Sequence, residues 1–184
     1  VYYVGPRAME QLVATVGHRC AVSPGADVVF SPQYYSQSHL ARMAGLIDSA
    51  SRSLDVAMYS FSDHGLLDAL ERAVRRGVSV RFIFNTAAED RKDPAGTFSA
   101  ALEDLGIDVR YVNKIMHHKF AIVDGPREDT ESAFSATLAT GSGNWSHSAG
   151  TRYDENTVFV TGSGELLLRF QQEFNLLWDN SRDF

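Results

Sequence analysis

His117, Lys119 and Asp124 stand in the spacing H-x-K-x4-D, and Gly141-Ser142-Gly143-Asn144 follows downstream as G-S-x-N. The residue types suit one kind of chemistry. An imidazole is a nucleophile for phosphorus, and a lysine holds a phosphate as a point charge. Serine and asparagine add neutral, directional donors. Together they supply what attack on a phosphodiester needs without a metal. H-x-K-x4-D alone arises often by chance; joined to G-S-x-N in this order, it is a strong signal.

The elements that carry these residues decide whether they meet. His117 and Lys119 are two apart in an extended segment, so their side chains leave one face of a sheet. Asp124 is seven from His117 and is predicted to face away, with a structural role: capping the turn at Gly125 or anchoring a neighbouring loop. Ser142 and Asn144 are again two apart and share a face. If their strand runs beside 120–124, the four side chains of His117, Lys119, Ser142 and Asn144 converge. Glu155 is a fifth candidate, a carboxylate able to accept from one imidazole nitrogen and fix the tautomer. Each has a plainer alternative. His118 is the functional histidine only if the spacing to Lys119 is ignored; Ser142 and Asn144 serve equally as turn residues, and Glu155 as an exposed charge beside Asp154. His18, His39, His64 and His147 lack a motif and read as surface or core residues, with His147 alone near enough in sequence to Asn144 to line a cleft.

Periodicity and capping residues give the frame. Strands are predicted at 27–31, 54–60, 78–84 and 107–112. Between them lie helices over 39–50, capped by Ser38, and 65–76, capped by Asp63 and stopped by Gly77. A third helix is expected to start at Asp93-Pro94 and end at Gly106. This β-α-β alternation predicts a mostly parallel sheet with helices on its faces. Residues 120–124, 138–141 and 156–161 then read as successive strands without intervening helices. The last helix, 164–179, buries Leu167, Phe170, Phe174, Leu177 and Trp178. A further helix is expected near 8–16 within a mixed N-terminal stretch.

Composition bounds the rest. The 184 residues are 44% hydrophobic and 22% charged, which suits a single globular domain, 1–184, with 1–26 as an N-terminal extension. One cysteine, Cys20, excludes an intrachain disulfide framework and a cysteine-based zinc site. No cofactor or metal cluster is predicted. The net charge of −6 is unlike a protein that coats duplex DNA, so nucleic-acid binding would need a local groove, with Arg75, Arg76, Arg81, Arg110 and Lys114 as candidate cations. Arg75 and Arg76 fit better as cations at a helix end. No apolar run reaches the ~20 residues of a membrane span. With no initiator Met, Val1 is expected to follow a processed or trimmed N-terminus, which leaves room for a removed signal or a membrane tether outside the cytoplasm. The final helix reads as complete, which argues for a whole domain over one half of a two-motif enzyme.

On the H-x-K-x4-D and G-S-x-N motifs the chain resembles the phospholipase D superfamily. It is most similar to the single-motif branch of Nuc- and Zucchini-like endonucleases. Ile115-Met116-His117-His118-Lys119-Phe120, Tyr59-Ser60-Phe61, Arg76-Gly77-Val78-x-Val80-Arg81 and Glu155-Asn156 match that branch, as does the Leu177-Trp178 tail; the likeness runs from about 27 to the C-terminus. It implies a phospholipase D-like α/β fold: a mixed, largely parallel sheet flanked by helices on both faces. It also implies a two-step reaction, in which one histidine forms a phosphohistidine and a second protonates the leaving oxygen and then activates water. One motif supplies one histidine, so an isologous homodimer with His117, Lys119 and Asn144 paired across the twofold axis is expected. Single-stranded DNA or RNA is the leading substrate. Phospholipid is the alternative, with Tyr34, Tyr35 or Trp145 as an apolar approach, and a non-catalytic scaffold of the same fold is a further one. The departure from the branch is the polar insertion 125–136, expected to rim the cleft, so that deleting it would change substrate range more than stability.

Overall fold

The run Ser53–Met58 is buried at every position, as a strand covered on both faces must be. The computed structural model describes residues 25–85, 98–112 and 115–183. In chain order the elements are β1 (Gly25–Ser31), α1 (His39–Ser49), β2 (Ser53–Met58), α2 (His64–Arg75), β3 (Ser79–Phe84), α3 (Ser99–Asp104), β4 (Asp108–Tyr111), β5 (Lys119–Val123), β6 (Thr137–Gly141), α4 (His147–Thr151), β7 (Glu155–Thr161), α5 (Gly164–Asp179) and β8 (Arg182–Asp183). Short 3-10 turns lie at Tyr35–Gln37 and Glu131–Phe134. The helix expected near 8–16, Cys20, His18, Lys114 and the Asp93-Pro94 helix start lie outside the described residues.

The strands form one sheet in the order β1-β7-β6-β5-β2-β3-β4-β8. This is the mixed sheet with flanking helices that the sequence predicts, but it is not largely parallel. Among the described strands, β2–β3 and β3–β4 pair parallel. The pairs β1–β7, β2–β5, β4–β8, β5–β6 and β6–β7 are antiparallel. The reason is connectivity: a parallel neighbour needs a long crossover, and the described crossover helices end before β4. The chain then returns to β2 as β5 and folds back on itself twice.

Local signals set the helix ends. The Ser38 hydroxyl accepts from Ala41 N to start α1, and the Asp63 carboxylate accepts from Leu66 N at 3.0 Å to start α2. Gly77 leaves α2 at φ 87°, a left-handed conformation that costs glycine little. One sheet face carries Leu54, Val56, Met58, Phe82 and Tyr111 against Leu40, Met43 and Ile47 of α1 and Leu66 and Leu70 of α2. The other carries Ala57, Ile83, Phe120, Ile122 and Leu138 against Leu167, Phe174, Leu177 and Trp178 of α5. These two faces follow from the period-2 alternation of the strands.

Asp55 is the polar exception on the α5 side, and it is fully buried. Arg81 grips it with two hydrogen bonds of 2.7 and 2.8 Å, Arg127 adds a bond and an ion pair at 3.0 and 2.6 Å, and Gln171 Nε2 donates at 2.7 Å. Arg81 is therefore an interior ion-pair partner, not a cation of a nucleic-acid groove. Arg76 likewise donates to the Ile47 and Ala50 carbonyls at the end of α1, and Arg75 pairs with Glu71. The Arg110 guanidinium pairs with Asp108 and stacks over Trp178.

Arg127 belongs to the 125–136 insertion, which does not rim the cleft. The insertion leaves β5 at Val123, whereas His117 and Lys119 sit at the strand's opposite end. At ~3.3 Å per residue the two ends are separated by roughly 13 Å of strand. The segment is built into the protein: Ala133 and Ala136 are wholly buried in the α5-side core, and Phe134 packs where a Cβ on Gly164 would collide with it. Connectivity places the insertion at the far end of the sheet, which spacing along the chain does not reveal.

Candidate active site

At the N-terminal end of β5 successive side chains alternate, and the two adjacent histidines part company. His117 lies against the Tyr59 ring with centroids 4.4 Å apart. His118 turns to the α5 side, edge-on to Phe120 and 3.5 Å from the Glu173 carboxylate. Lys119 shares the His117 side. Its Nζ donates to the His117 carbonyl at 3.0 Å and stands 3.1 Å from the ring Nδ1 and 3.4 Å from Nε2. The ammonium lies 5.0 Å from the centre of the Tyr59 ring, a cation–π contact. Lys119 is only 8% exposed. Burial lowers its pKa from the ordinary lysine value, and the Glu155 carboxylate opposes that shift. The result is a charged lysine tip held under an exposed imidazole, in position to draw an anion onto the ring.

Asp124 faces the other way, as the spacing predicts, and anchors a loop. Its backbone is left-handed at φ 52°. Its carboxylate accepts from Ser51 N, Ser51 Oγ, Arg52 N and Ser53 N over 2.7–3.2 Å. Burial acts to raise its pKa, but the bonds from Ser53, Arg52 and Ser51 together hold the carboxyl below the usual carboxylate value. The Asp thus ties the start of β2 to the end of β5. Asp124→Ala is expected to cost about 2–3 kcal/mol through lost charge-assisted bonds, while kcat of the folded protein stays near wild type. Melting curves and kcat measured together check this; a collapse of kcat at unchanged stability would mean that the aspartate acts in the chemistry.

The G-S-x-N loop leaves β6 against its neighbour. A Cβ at Gly141 would run into the Asn156 carbonyl, so the close approach of β6 and β7 requires glycine there. Ser142 and Asn144 do not present themselves together as the two-residue spacing predicts. The Ser142 hydroxyl accepts from Asn156 N at 3.1 Å and lies 3.4 Å from its Nδ2, so it braces the strand pair. The loop departs from regular strand geometry after Gly141, where the β6–β7 register ends. Asn144 is fixed through its backbone. Its carbonyl accepts from His39 Nε2 at 3.0 Å, and the next amide, Trp145 N, donates to Ser60 O at 3.0 Å. The Asn144 side-chain Oδ1 is buried without a hydrogen-bond partner among the described residues, as is Thr157 Oγ1.

Glu155 opens β7 opposite Ser31. Its carboxylate makes no hydrogen bond to His117 among the described residues, so the expected carboxylate–imidazole pair is not formed within one chain. It acts on Lys119 and His39 through charge instead. Tyr35 and Trp145 are not an apolar approach surface. The Tyr35 hydroxyl donates to Asp63 at 2.8 Å, and the Trp145 ring is buried edge-on to Phe61 and Phe82. Tyr34 is exposed at 83%. His147 stacks on Tyr35, and His64 meets Phe98 edge-on. No group of three or more His, Cys, Asp or Glu side chains that could hold a metal ion occurs among the described residues.

His39 is the residue that motif reasoning misses. It is 1% exposed, and its Nδ1 meets Ser31 Oγ at 3.3 Å. The signal was positional: His39 lies four residues before Met43 and eight before Ile47, on the buried stripe of α1. A histidine on that stripe must find hydrogen-bond partners. Burial lowers its pKa from 6.5, against the Asn144 carbonyl, Glu155 and Asp63, which favour the charged ring. The folded protein therefore takes up this proton less readily than the unfolded chain. Stability is expected to be full above pH 6.5 and to fall as the pH drops below it. Melting curves from pH 8 to 5 would show less acid sensitivity in His39→Gln; an identical slope in both proteins refutes the assignment.

Beside His117 and Lys119 a groove of about 380 Å³ opens toward α5, lined by Phe120, Thr140, Leu166, Arg169 and Phe170 among others. No helix among the described residues is long and apolar enough to cross a membrane.

The mitochondrial cardiolipin hydrolase of Danio rerio is 35% identical over 148 residues, 79% of this chain and 59% of that protein. Its counterpart from Chlamydomonas reinhardtii is 32% identical over 147 residues, 79% and 60% of the two chains. The chain thus spans about 60% of the length of these relatives. Among solved structures, the phospholipase D family member Nuc from Salmonella typhimurium superposes with a TM-score of 0.73 at 28% identity, covering 88% of this chain and 99% of its own. NucT from Helicobacter pylori shares the fold at 20% identity, with a TM-score of 0.74 over 88% and 100% of the two chains. The family described as "Cardiolipin synthase, PLD-like domain" matches residues 43–178, spanning β2 to α5 and every motif residue described above, and the chain belongs to that phospholipase D-like family.

Proposed function

We propose that the protein is a metal-independent phosphodiesterase that cleaves single-stranded nucleic acid through a phosphohistidine on His117, in a site completed by a second copy of the chain. The observation that carries this reading is the Lys119 ammonium, buried beneath the exposed His117 ring at 3.1 Å. In the first step an imidazole nitrogen bonds to phosphorus and the P–O bond to the leaving oxygen breaks, with that oxygen taking a proton from the partner's His117. In the second, water adds to phosphorus, gives a proton to that same histidine, and the P–N bond breaks. Lys119 balances the charge on the non-bridging oxygens throughout. Asn144 is the further donor on the phosphate, Ser142 and Glu155 brace and charge the surroundings, and Asp124 holds the strand. Tyr59, partly exposed beside His117, offers a base an aromatic contact, which suits a single strand.

A lipid phosphodiester is the second reading. Exposed Tyr34 and Ile115 lie near the same end of the sheet, the groove beside Lys119 is partly apolar, and the Danio and Chlamydomonas relatives carry the name cardiolipin hydrolase. Cleavage in EDTA of labelled single-stranded DNA and RNA, beside cardiolipin vesicles and a generic phosphodiester, separates the two. Nucleic-acid cleavage that disappears in His117→Ala supports the first reading, and turnover of lipid alone replaces it with the second. Silence on all four substrates sinks both.

A further inference from the structure

We propose that His39 is a positioning residue of this site: its imidazole holds one side of the Asn144–Trp145 peptide plane and so sets where the Asn144 side chain meets the phosphate. The inference rests on the phosphodiesterase reading for its kinetic consequence, but not for its geometry.

The partners leave His39 one arrangement. The Asn144 carbonyl only accepts, so Nε2, 3.0 Å away, carries the hydrogen. In the neutral ring Nδ1 is then bare and accepts from Ser31 Oγ at 3.3 Å. That fixes tautomer and ring plane together. The other side of the same peptide is held as firmly, because Trp145 N donates to Ser60 O at 3.0 Å. A carbonyl and an amide of one rigid peptide unit are thus gripped from opposite directions, by α1 and by the segment after β2. A Cβ at Gly143 would stand 3.0 Å from His39 Nε2 and 2.8 Å from Thr157 Oγ1, so glycine is what lets the ring close on the loop.

The same imidazole links three parts of the site. Ser31 ends β1 opposite Glu155. Glu155 acts electrostatically on both His39 and Lys119. His39 thus connects the end of β1, which pairs with the Glu155 end of β7, to the loop that carries Asn144. Nothing in this arrangement touches the reacting atoms; its effect is on placement, where an error of about 1 Å can cost on the order of 100-fold in rate.

The test compares wild type, His39→Ala and His39→Gln, the last keeping a side-chain N–H that reaches the Asn144 carbonyl. Hydrogen exchange of the Trp145 amide reads the clamp directly and needs no activity. It should be about tenfold faster in His39→Ala and return toward wild type in His39→Gln. Steady-state cleavage of a labelled single-stranded DNA in EDTA, below the melting temperature of each variant, should show kcat lower by roughly 10–100-fold in His39→Ala with KM within threefold, and largely restored in His39→Gln. Unchanged Trp145 exchange in His39→Ala overturns the proposal whatever the kinetics show. So does a His39→Gln variant that is folded yet as slow as His39→Ala. If the wild type cleaves no phosphodiester, the functional reading fails, and the exchange data still decide whether His39 holds the loop.

Discussion

His117→Ala is expected to lose at least ~10³-fold in kcat on whichever phosphodiester the wild type cleaves, while its melting temperature stays within a degree or two. The asymmetry follows from placement. The ring is exposed and, among the described residues, packs on Tyr59 and the Lys119 ammonium, so removing it disturbs no described core, whereas a covalent intermediate cannot form without it. A sharper form of the experiment uses mixtures. If each site holds two copies of His117 and needs both, refolding wild type with His117→Ala yields active sites only where two wild-type chains meet. Activity should then follow the square of the wild-type fraction, so an equal mixture retains about a quarter. A linear fall would show that one chain suffices, and with it the homodimeric site would be lost.

Asp55→Ala is expected to be strongly destabilising, costing about 3–5 kcal/mol because it leaves two largely buried arginines without their shared carboxylate. For a domain of this size that is a drop of roughly 6–20 °C in melting temperature. Arg81 and Arg127 are both largely buried, and each has its best partner in this one carboxylate. Replacing the group together, Asp55→Leu with Arg81→Met and Arg127→Leu, should recover much of the loss, since apolar side chains of similar volume remove the uncompensated charge. A melting temperature for Asp55→Ala within 2 °C of wild type would falsify the view that the cluster holds the core. The same logic governs the 125–136 segment. Excising it removes Arg127, Ala133 and Ala136 at once, so the expected result is loss of cooperative unfolding and not a change in substrate range.

What the sequence made legible was local or periodic. Asp63 and Gly77 bracket α2 because a cap and a left-handed stop are properties of single residues, and the bounds of α5 came directly from its apolar stripe. Lys119 joined His117 because two residues of extended chain share a side. Features that depend on which strands become neighbours stayed hidden. Asp55 and Arg81 are partners because β2 and β3 pair in register, and Arg127 reaches them from a loop 72 residues away along the chain. Nothing local distinguishes these arginines from solvated ones. The sheet's antiparallel majority was likewise masked, since the β-α-β opening is regular while the return of β5 to β2 is a matter of topology. Ser142 misled because its spacing to Asn144 implies a strand, and the strand ends at Gly141.

The position of Asp124 gives the motif an unexpected meaning. His117 and Lys119 occupy one end of β5, and Asp124 grips the start of β2 at the other. The four residues between Lys119 and Asp124 are therefore a ruler laid along a strand, not a distance between reacting groups. Adding or removing one residue there would turn every side chain beyond it to the opposite face of the sheet. The anchor and the nucleophile could then no longer both be seated, although neither had been touched. Drift in a lineage that abandoned the chemistry would be free to erase the histidine, yet the aspartate and the interval would persist for as long as the fold did. A pattern search weighted on those two features would collect architecture, and His117 and Lys119, with Asn144 in the later loop, would be what tells a working enzyme from its retired kin.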